Sequence, residues 1–237
     1  MKRLTIFISA GEESGDLHGG ALALALRERF PEARLLGLGG ARMAAAGVEL
    51  MAGLQELAVM GLAEVIRHLP FFYQLRKRVW AALAAEGVDL VIPIDYPGFN
   101  LRLARHARES GIPVLYYIAP QVWAWHKSRV RDLARDADRV AVVLPFEEEF
   151  LRGAGVKASF VGHPLLDREP PSRDRDALVR AEALDPARPI LGLFPGSRAQ
   201  EVRRHLALFS EAARRVVERR PKVQPVIGTP GGIDPGV

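Results

Sequence analysis

The chain contains no cysteine, which excludes disulfides and thiolate metal sites and leaves its redox compartment unreadable. Asparagine occurs once, at Asn100, and the basic residues are nearly all arginine. Such scarcity, beside abundant Arg, Ala, Leu and Pro, suits a GC-rich or heat-adapted source. No uncharged apolar run reaches the ~18 residues of a membrane span. Lys2 and Arg3 before Leu4 to Ala10 imitate a signal peptide, but the run is short, ends in Glu12 and Glu13, and lacks a small-residue cleavage pattern. It reads as a first strand, and the chain is expected in the cytoplasm. Neither a block of like charges nor a basic patch with interleaved aromatics is present, so no nucleic-acid partner is expected.

What is present suffices for a real core: 237 residues, 49% apolar, enough for one large or two small domains. The net charge of +5 comes from 33 basic and 28 acidic residues, and arginine grips phosphates in paired hydrogen bonds, so anionic partners fit.

Leu4 to Leu26 reads as strand, loop, helix. Ser14 or Asp16 is expected to cap that helix, and Gly11, Gly15, Gly19 and Gly20 to let backbone approach a ligand. A capped turn needs no ligand, yet three acids, Glu12, Glu13 and Asp16, exceed what turn chemistry asks for. Arg34 to Leu38 is a second strand, followed by Gly39-Gly40 and a short helix ending at Gly47. Arg42 stands where a dinucleotide fingerprint needs its third glycine, which argues against a Rossmann dehydrogenase. In Gly61 to Glu86, Pro70 should break or kink the segment into two helices. Its stripe of Leu62, Val65, Ile66, Leu69, Phe71, Phe72, Leu75 and Val79, flanked by Arg67, Arg76, Lys77 and Arg78, reads either as core or as an interfacial surface.

Asp89 to Ile94 is a strand ending in Asp95-Tyr96-Pro97-Gly98-Phe99-Asn100, with Asn100 expected to cap the next helix. Further strands are expected at Pro113 to Ile118, Arg139 to Leu144 and Ala158 to Val161, with two tryptophans, Trp123 and Trp125, in the loop after the first of these. Residues 167–176 read as a linker; the Asp174-Arg175-Asp176 within it resembles a metal-binding D-x-D but fits a solvated helix cap better. A fresh βαβ unit follows: strand Pro189 to Phe194, helix Gln200 to Arg220, strand Val223 to Ile227. In its first loop, Ser197 and Arg198 at a helix start form a phosphate cradle.

In a mostly parallel sheet, loops that follow strands emerge at one carboxyl edge. Six do so here: 11–16, 39–40, 95–100, 120–125, 162–164 and 195–201. Asp95 is the best single candidate for chemistry, because a carboxylate at a strand end in an apolar cleft can hold a pKa suited to accepting a proton. His163 either orients a phosphate or sugar hydroxyl or is a hinge residue bonded to backbone.

Seven segments, AGEESGDLHG from Ala10, ELAVMGLAEVI from Glu56, IDYPGFN from Ile94, APQVWAW from Ala119, LPFE from Leu144, FVGHPLLD from Phe160 and FPGSRAQEV from Phe194, together resemble the lipid-A-disaccharide synthase family of inverting glycosyltransferases. The resemblance spans residues 4 to about 227. It implies an α/β fold of the GT-B type: a Rossmann-like parallel sheet with flanking helices, and a partial second Rossmann-like domain. The implied domains are an acceptor domain 1–166, a linker 167–176 and a truncated donor domain 177–237. The implied substrates are UDP-2,3-diacylglucosamine and 2,3-diacylglucosamine 1-phosphate, with no metal or cofactor required. Asp95 would be the general base. Glu12, Ser14, Gly15, Asp16, Asn100 and Trp123 would form the acceptor side; His163, Ser197, Arg198 and Glu201 the donor side. The stripe at Leu62, Val65, Ile66, Leu69, Phe71 and Phe72 would face the membrane, giving peripheral association with the inner membrane. An uncovered strand edge in the short second domain predicts a homodimer or a completing chain. A non-catalytic module binding acylated sugar phosphate and a related UDP-sugar epimerase remain the competing readings.

Overall fold

The computed structural model describes residues 3–57, 62–124, 128–167, 174–196 and 199–228, without the side chains of 55, 62–69, 199 and 200. Two compact units divide the chain, Met1–Glu169 and Pro170–Val237.

In the first unit, seven strands form one sheet in which every pairing is parallel. They are β1 (Thr5–Ala10), β2 (Arg34–Gly39), β3 (Glu49–Gly53), β4 (Leu90–Ile94), β5 (Leu115–Tyr117), β6 (Arg139–Val142) and β7 (Ala158–Phe160). The order is β3-β2-β1-β4-β5-β6-β7, so the sequence of strands reverses direction between β1 and β4. All six residues of β1 are buried, as a central parallel strand covered on both faces requires. Alternation sorts them: Ile6, Ile8 and Ala10 join one apolar cluster, while Phe7 joins the other. The first cluster is sealed by α1 (Glu13–Arg29) and α2 (Ala41–Ala45) through Ala23 and Met43. The second takes residues from α3 (Leu54–Leu57), α4 (Leu62–Ala85), α5 (Pro97–Glu109), α6 (Arg129–Asp136) and α7 (Pro145–Gly153). Helices leaving β1 and β4 therefore cover opposite faces, which opens a crevice at the carboxyl ends of these two strands.

Pro93 lies inside β4, where it removes a ladder donor. Val91 donates to Pro113 on the β5 side, and alternation turns residue 93 to that same side. There the pairing is thin: Ile94 opposite Tyr117, and one isolated bridge between Val91 and Val114.

Three expectations are corrected. Residues 62–85 form one helix that runs through Pro70, not two, and the proline itself is exposed. The N-cap of α1 is Glu12, and neither Ser14 nor Asp16 caps that helix. Helix α5 begins at Pro97, with Tyr96 as its N-cap, so Asn100 lies inside it. Strand β3 and helix α6 were not expected at all.

Leu75, Val79 and Leu83 on α4 are core residues, and Phe71 and Phe72 are half-buried against the same cluster. Tyr73 is exposed, with Arg76 and Lys77 over its ring at 5.2 and 4.7 Å. The side chains of Leu62, Val65, Ile66 and Leu69 lie outside the described ones.

The second unit carries α8 (Arg175–Ala181), β8 (Ile190–Leu193), α9 (Ala199–Arg219) and β9 (Gln224–Ile227), with β8 and β9 parallel. This is the expected βαβ unit. Asp174 caps α8 by accepting from Asp176 N at 2.9 Å and Ala177 N at 3.0 Å, so the D-x-D is a helix start.

Candidate active site

Ala10 at the end of β1 pairs with Ile94 at the end of β4, so the loops beginning at Gly11 and Asp95 stand side by side where the strand order reverses. Parallel pairing also brings the loops after β2, β5 and β7 to this edge. The sixth expected loop, 195–201, belongs to the second unit.

Asp95 and Tyr96 both adopt left-handed backbone, at φ +42° and +47°, and Ile118 facing them is at φ +60°. Non-glycine residues rarely accept this conformation, and such strain clusters at functional sites. The turn is pinned from several directions. Asp95 N donates to Ile118 O at 3.2 Å. Its carbonyl accepts from the Tyr116 hydroxyl at 2.8 Å and from Asn100 Nδ2 at 2.9 Å. The Tyr96 hydroxyl donates to Leu57 O at 3.3 Å.

Burial raises the Asp95 carboxyl to about 6, the nearby Glu12 charge adds to the rise, and a backbone hydrogen bond from Tyr96 opposes it. Tyr96 is raised by the same burial and the same Glu12. A base of this kind is mostly ionised at neutral pH yet retains a real affinity for a proton, which is what deprotonating a hydroxyl in a transition state needs.

The Tyr96 ring lies against Gly11, where a side chain would overlap it. Gly11→Ala should push Tyr96 off its seat, cost about 2 kcal/mol of stability and disturb the adjoining carboxylate; a melt and an activity assay on one preparation check both. Gly15 serves packing as well: a methyl on it would sit 3.1 Å from Ala10 Cβ, where α1 crosses the end of β1. The ligand approach expected of these two glycines is taken up by protein.

The expected acceptor residues separate into two groups. Glu12 and Ser14 are exposed on the first turn of α1. Asp16 and Asn100 are buried behind it, at 1% and 0% exposure. The Asp16 carboxylate accepts from the backbone N–H of Gly40 at 2.7 Å, Arg42 at 3.1 Å and Met43 at 3.0 Å, capping α2 from another helix. Asn100 donates to Ser9 O at 3.1 Å and Ile94 O at 3.0 Å as well as to Asp95 O, and accepts from Ser9 Oγ at 2.6 Å. Both therefore hold backbone in place and do not line a wall.

Trp123 donates from Nε1 to Glu147 at 3.0 Å and meets Phe146 edge-on at 5.1 Å, which docks its loop on the start of α7. Glu147, 3% exposed, also accepts from Leu144 N at 3.1 Å. His163 accepts from Leu165 N at its Nδ1, 3.2 Å away, the hinge arrangement, and its ring meets His18 edge-on at 6.4 Å. In the second unit, His205 bonds Pro195 O at 2.9 Å, and Gly196 at φ +147° packs closely on Glu201. Ser197, Arg198 and Trp125 lie outside the described residues. The sequence reading missed Tyr116, Ser9 and Glu147; the first two belong to strands read only as core.

Solved structures place the fold. A putative UDP-N-acetylglucosamine 2-epimerase from Listeria monocytogenes aligns with a TM-score of 0.63 at 15% identity, over 95% of this chain and 62% of that one. The UDP-GlcNAc 2-epimerase of Neisseria meningitidis bound to UDP-GlcNAc gives 0.63 at 9% identity, over 98% and 67%. At such identities the likeness is one of fold, and it defines the class: a GT-B-type α/β protein. Sequence is more specific. The family LpxB, lipid-A-disaccharide synthetase, matches residues 6–229. The lipid-A-disaccharide synthase of Acidobacterium capsulatum is 45% identical over 224 residues, 94% of this chain and 56% of that protein. That of Geobacter metallireducens is 46% identical over 219 residues, 92% and 57%. The chain belongs to this family and spans somewhat more than half the length of these relatives.

Proposed function

We propose that this chain serves the glycosyl transfer of lipid A biosynthesis, with the crevice between β1 and β4 receiving the acceptor. The observation that carries the reading is Asp95: a half-buried carboxylate at the strand-order switch point, fixed in a left-handed turn and raised to about 6.

The acceptor is 2,3-diacylglucosamine 1-phosphate and the donor UDP-2,3-diacylglucosamine. Asp95 takes the proton of the acceptor 6-hydroxyl as that oxygen attacks the donor's anomeric carbon. The new C–O bond forms while the bond to UDP breaks on the opposite side, so configuration inverts and UDP departs with the electron pair. Glu12 and Ser14 on the exposed first turn of α1 meet the acceptor sugar, while Asp16 and Asn100 keep the crevice walls in register. Trp123 supports the acceptor side through the loop it docks. His163, Ser197, Arg198 and Glu201 form the donor set, with Arg198 and the start of α9 offsetting negative charge on the departing diphosphate.

Acylated substrates reside in a membrane, so the chain works peripherally at the cytoplasmic face of the inner membrane, through the surface around Leu62, Val65, Ile66, Leu69, Phe71 and Phe72. Tyr73 with Arg76 and Lys77 suits an anionic headgroup layer. No helix among the described residues is long and apolar enough to cross a membrane, which fits a surface mode. Among the described residues β8 and β9 form a two-stranded sheet, whose edges a second copy or another chain covers. On this reading residues 1–166 are the acceptor domain and 177–237 belong to the donor domain.

The test is UDP release and disaccharide formation from the two diacylated substrates in mixed micelles, with Asp95→Ala alongside. Turnover that disappears in the variant supports the reading. Turnover that persists unchanged sinks it.

A further inference from the structure

Apart from the Asp95 N to Ile118 O bond, regular sheet pairing does little to hold the Asp95–Tyr96 turn. Pro93 has removed a ladder bond beside it, and the β4–β5 ladder is reduced to one registered pair and one bridge. The turn is nonetheless in a conformation that L residues avoid, and it persists only if surrounding groups over-determine it. Two donors converge on the Asp95 carbonyl. One, the Asn100 amide, is shared with Ser9 O and Ile94 O. The other, the Tyr116 hydroxyl at 2.8 Å, comes from a side chain 0% exposed in the second apolar cluster.

A core position filled by a ring does not need a hydroxyl, and a hydroxyl taken into that core must find a partner. Here the partner is the main-chain carbonyl of Asp95, 21 positions earlier in sequence. We infer that Tyr116 is a positioning residue, whose hydroxyl holds the left-handed Asp95–Tyr96 turn from beneath and so fixes where the Asp95 carboxylate stands. The inference rests on Asp95 being the reacting carboxylate, but its test does not require turnover.

Four ionisable groups bear on the outcome: Glu12 from the β1–α1 turn, Tyr96 beside Asp95, Tyr116 of β5, and Arg129 of α6, which acts on Tyr116. Tyr116→Phe removes one oxygen and leaves the ring. With that hold gone, the turn relaxes and the carboxylate gains water, so its titration moves down toward the ordinary carboxylate range.

The experiment follows the Asp95 side-chain carboxyl by carbon NMR through a pH titration of the whole chain. Wild type is expected to titrate at about 6. Tyr116→Phe is expected to titrate lower. Ser9→Ala, which removes the donor that fixes the Asn100 amide, provides a second route and a smaller shift of the same sign, and serves should Tyr116→Phe fail to fold. Tyr117→Phe, whose ring belongs with the opposite apolar cluster, is the control and should match wild type. In the transfer assay Tyr116→Phe should lower kcat roughly tenfold with little change in KM. A Tyr116→Phe titration that coincides with wild type, or a Tyr117→Phe titration that moves equally far, overturns the inference. Loss of the general-base reading would show separately, as transfer that survives Asp95→Ala.

Discussion

Asp95→Asn should make the protein both slower and more stable. If Asp95 is the general base, as proposed, its loss lowers turnover by about a hundredfold or more, and the wild-type rate should itself fall as pH drops through about 6, where Asp95 takes up a proton and can no longer accept one. The stability effect has the opposite sign. The folded carboxyl sits at about 6 against an ordinary 3.8, so the folded state favours the protonated form. The favourable contribution is full below 3.8 and is lost as pH rises through about 6. Above that range the charged carboxylate costs the fold about 2 kcal/mol, allowing for its partial contact with water. Asparagine carries no such charge. Denaturant unfolding should therefore find the variant more stable at about pH 8, with the gap closing toward 3.8. Equal stability at both ends would mean that the carboxylate stands in open water, where it has no reason to hold a proton.

Asp16→Ala should produce the largest loss of stability among the residues of this edge. Its carboxylate satisfies the N–H groups of Gly40, Arg42 and Met43, and alanine leaves them with no acceptor at a buried position. The expected cost is about 3 kcal/mol, or a fall of roughly 10 °C in Tm for a chain of this size. Thermal unfolding followed by circular dichroism reads it. An unchanged melt with abolished acceptor binding would instead put Asp16 on the substrate wall. Because α2 loses its cap, the β2–α2 corner should show faster amide exchange before the rest of the sheet.

Sequence made the first Rossmann-like unit legible because a central parallel strand buried on both faces is written mostly in apolar residues, as in Thr5 to Ala10, where Thr5 and Ser9 are the exceptions. Strand β3 escaped because Glu49–Gly53 is, among the described residues, an edge strand paired with β2 across a register shift between Gly37 and Leu38, and its apolar run, Leu50 to Ala52, is only three residues long. Helix α6 escaped because five of its eight residues are charged, one of them, Asp136, on the buried side itself, where Val130 and Leu133 are the apolar residues. Within the site, Asp95 could be singled out because a strand end followed by Tyr-Pro-Gly is a local signal. Asp16 and Asn100 could not be sorted, since their partners lie 24 to 27 and as many as 91 residues away and the residue types suit a cap, a wall or a clamp equally well. Tyr116 and Tyr117 are neighbours of identical composition, and only the fold distinguishes the one beneath Asp95.

The adjacency of β1 and β4 also governs when the crevice can come into being. Thr5 and Asp89, which bond at the start of these strands, are 84 residues apart, and Ser9 and Asn100 at their other end are 91 apart. During synthesis the first strand must wait, with one flank unpaired, until more than a third of the chain has followed it. Loop closure over such a distance comes late, after the local α1–β2–α2 segment can already have condensed. The crevice is thus a product of the long-range closure between the halves of the sheet, and a nascent chain that ends before α5 has a first strand but no second wall beside it.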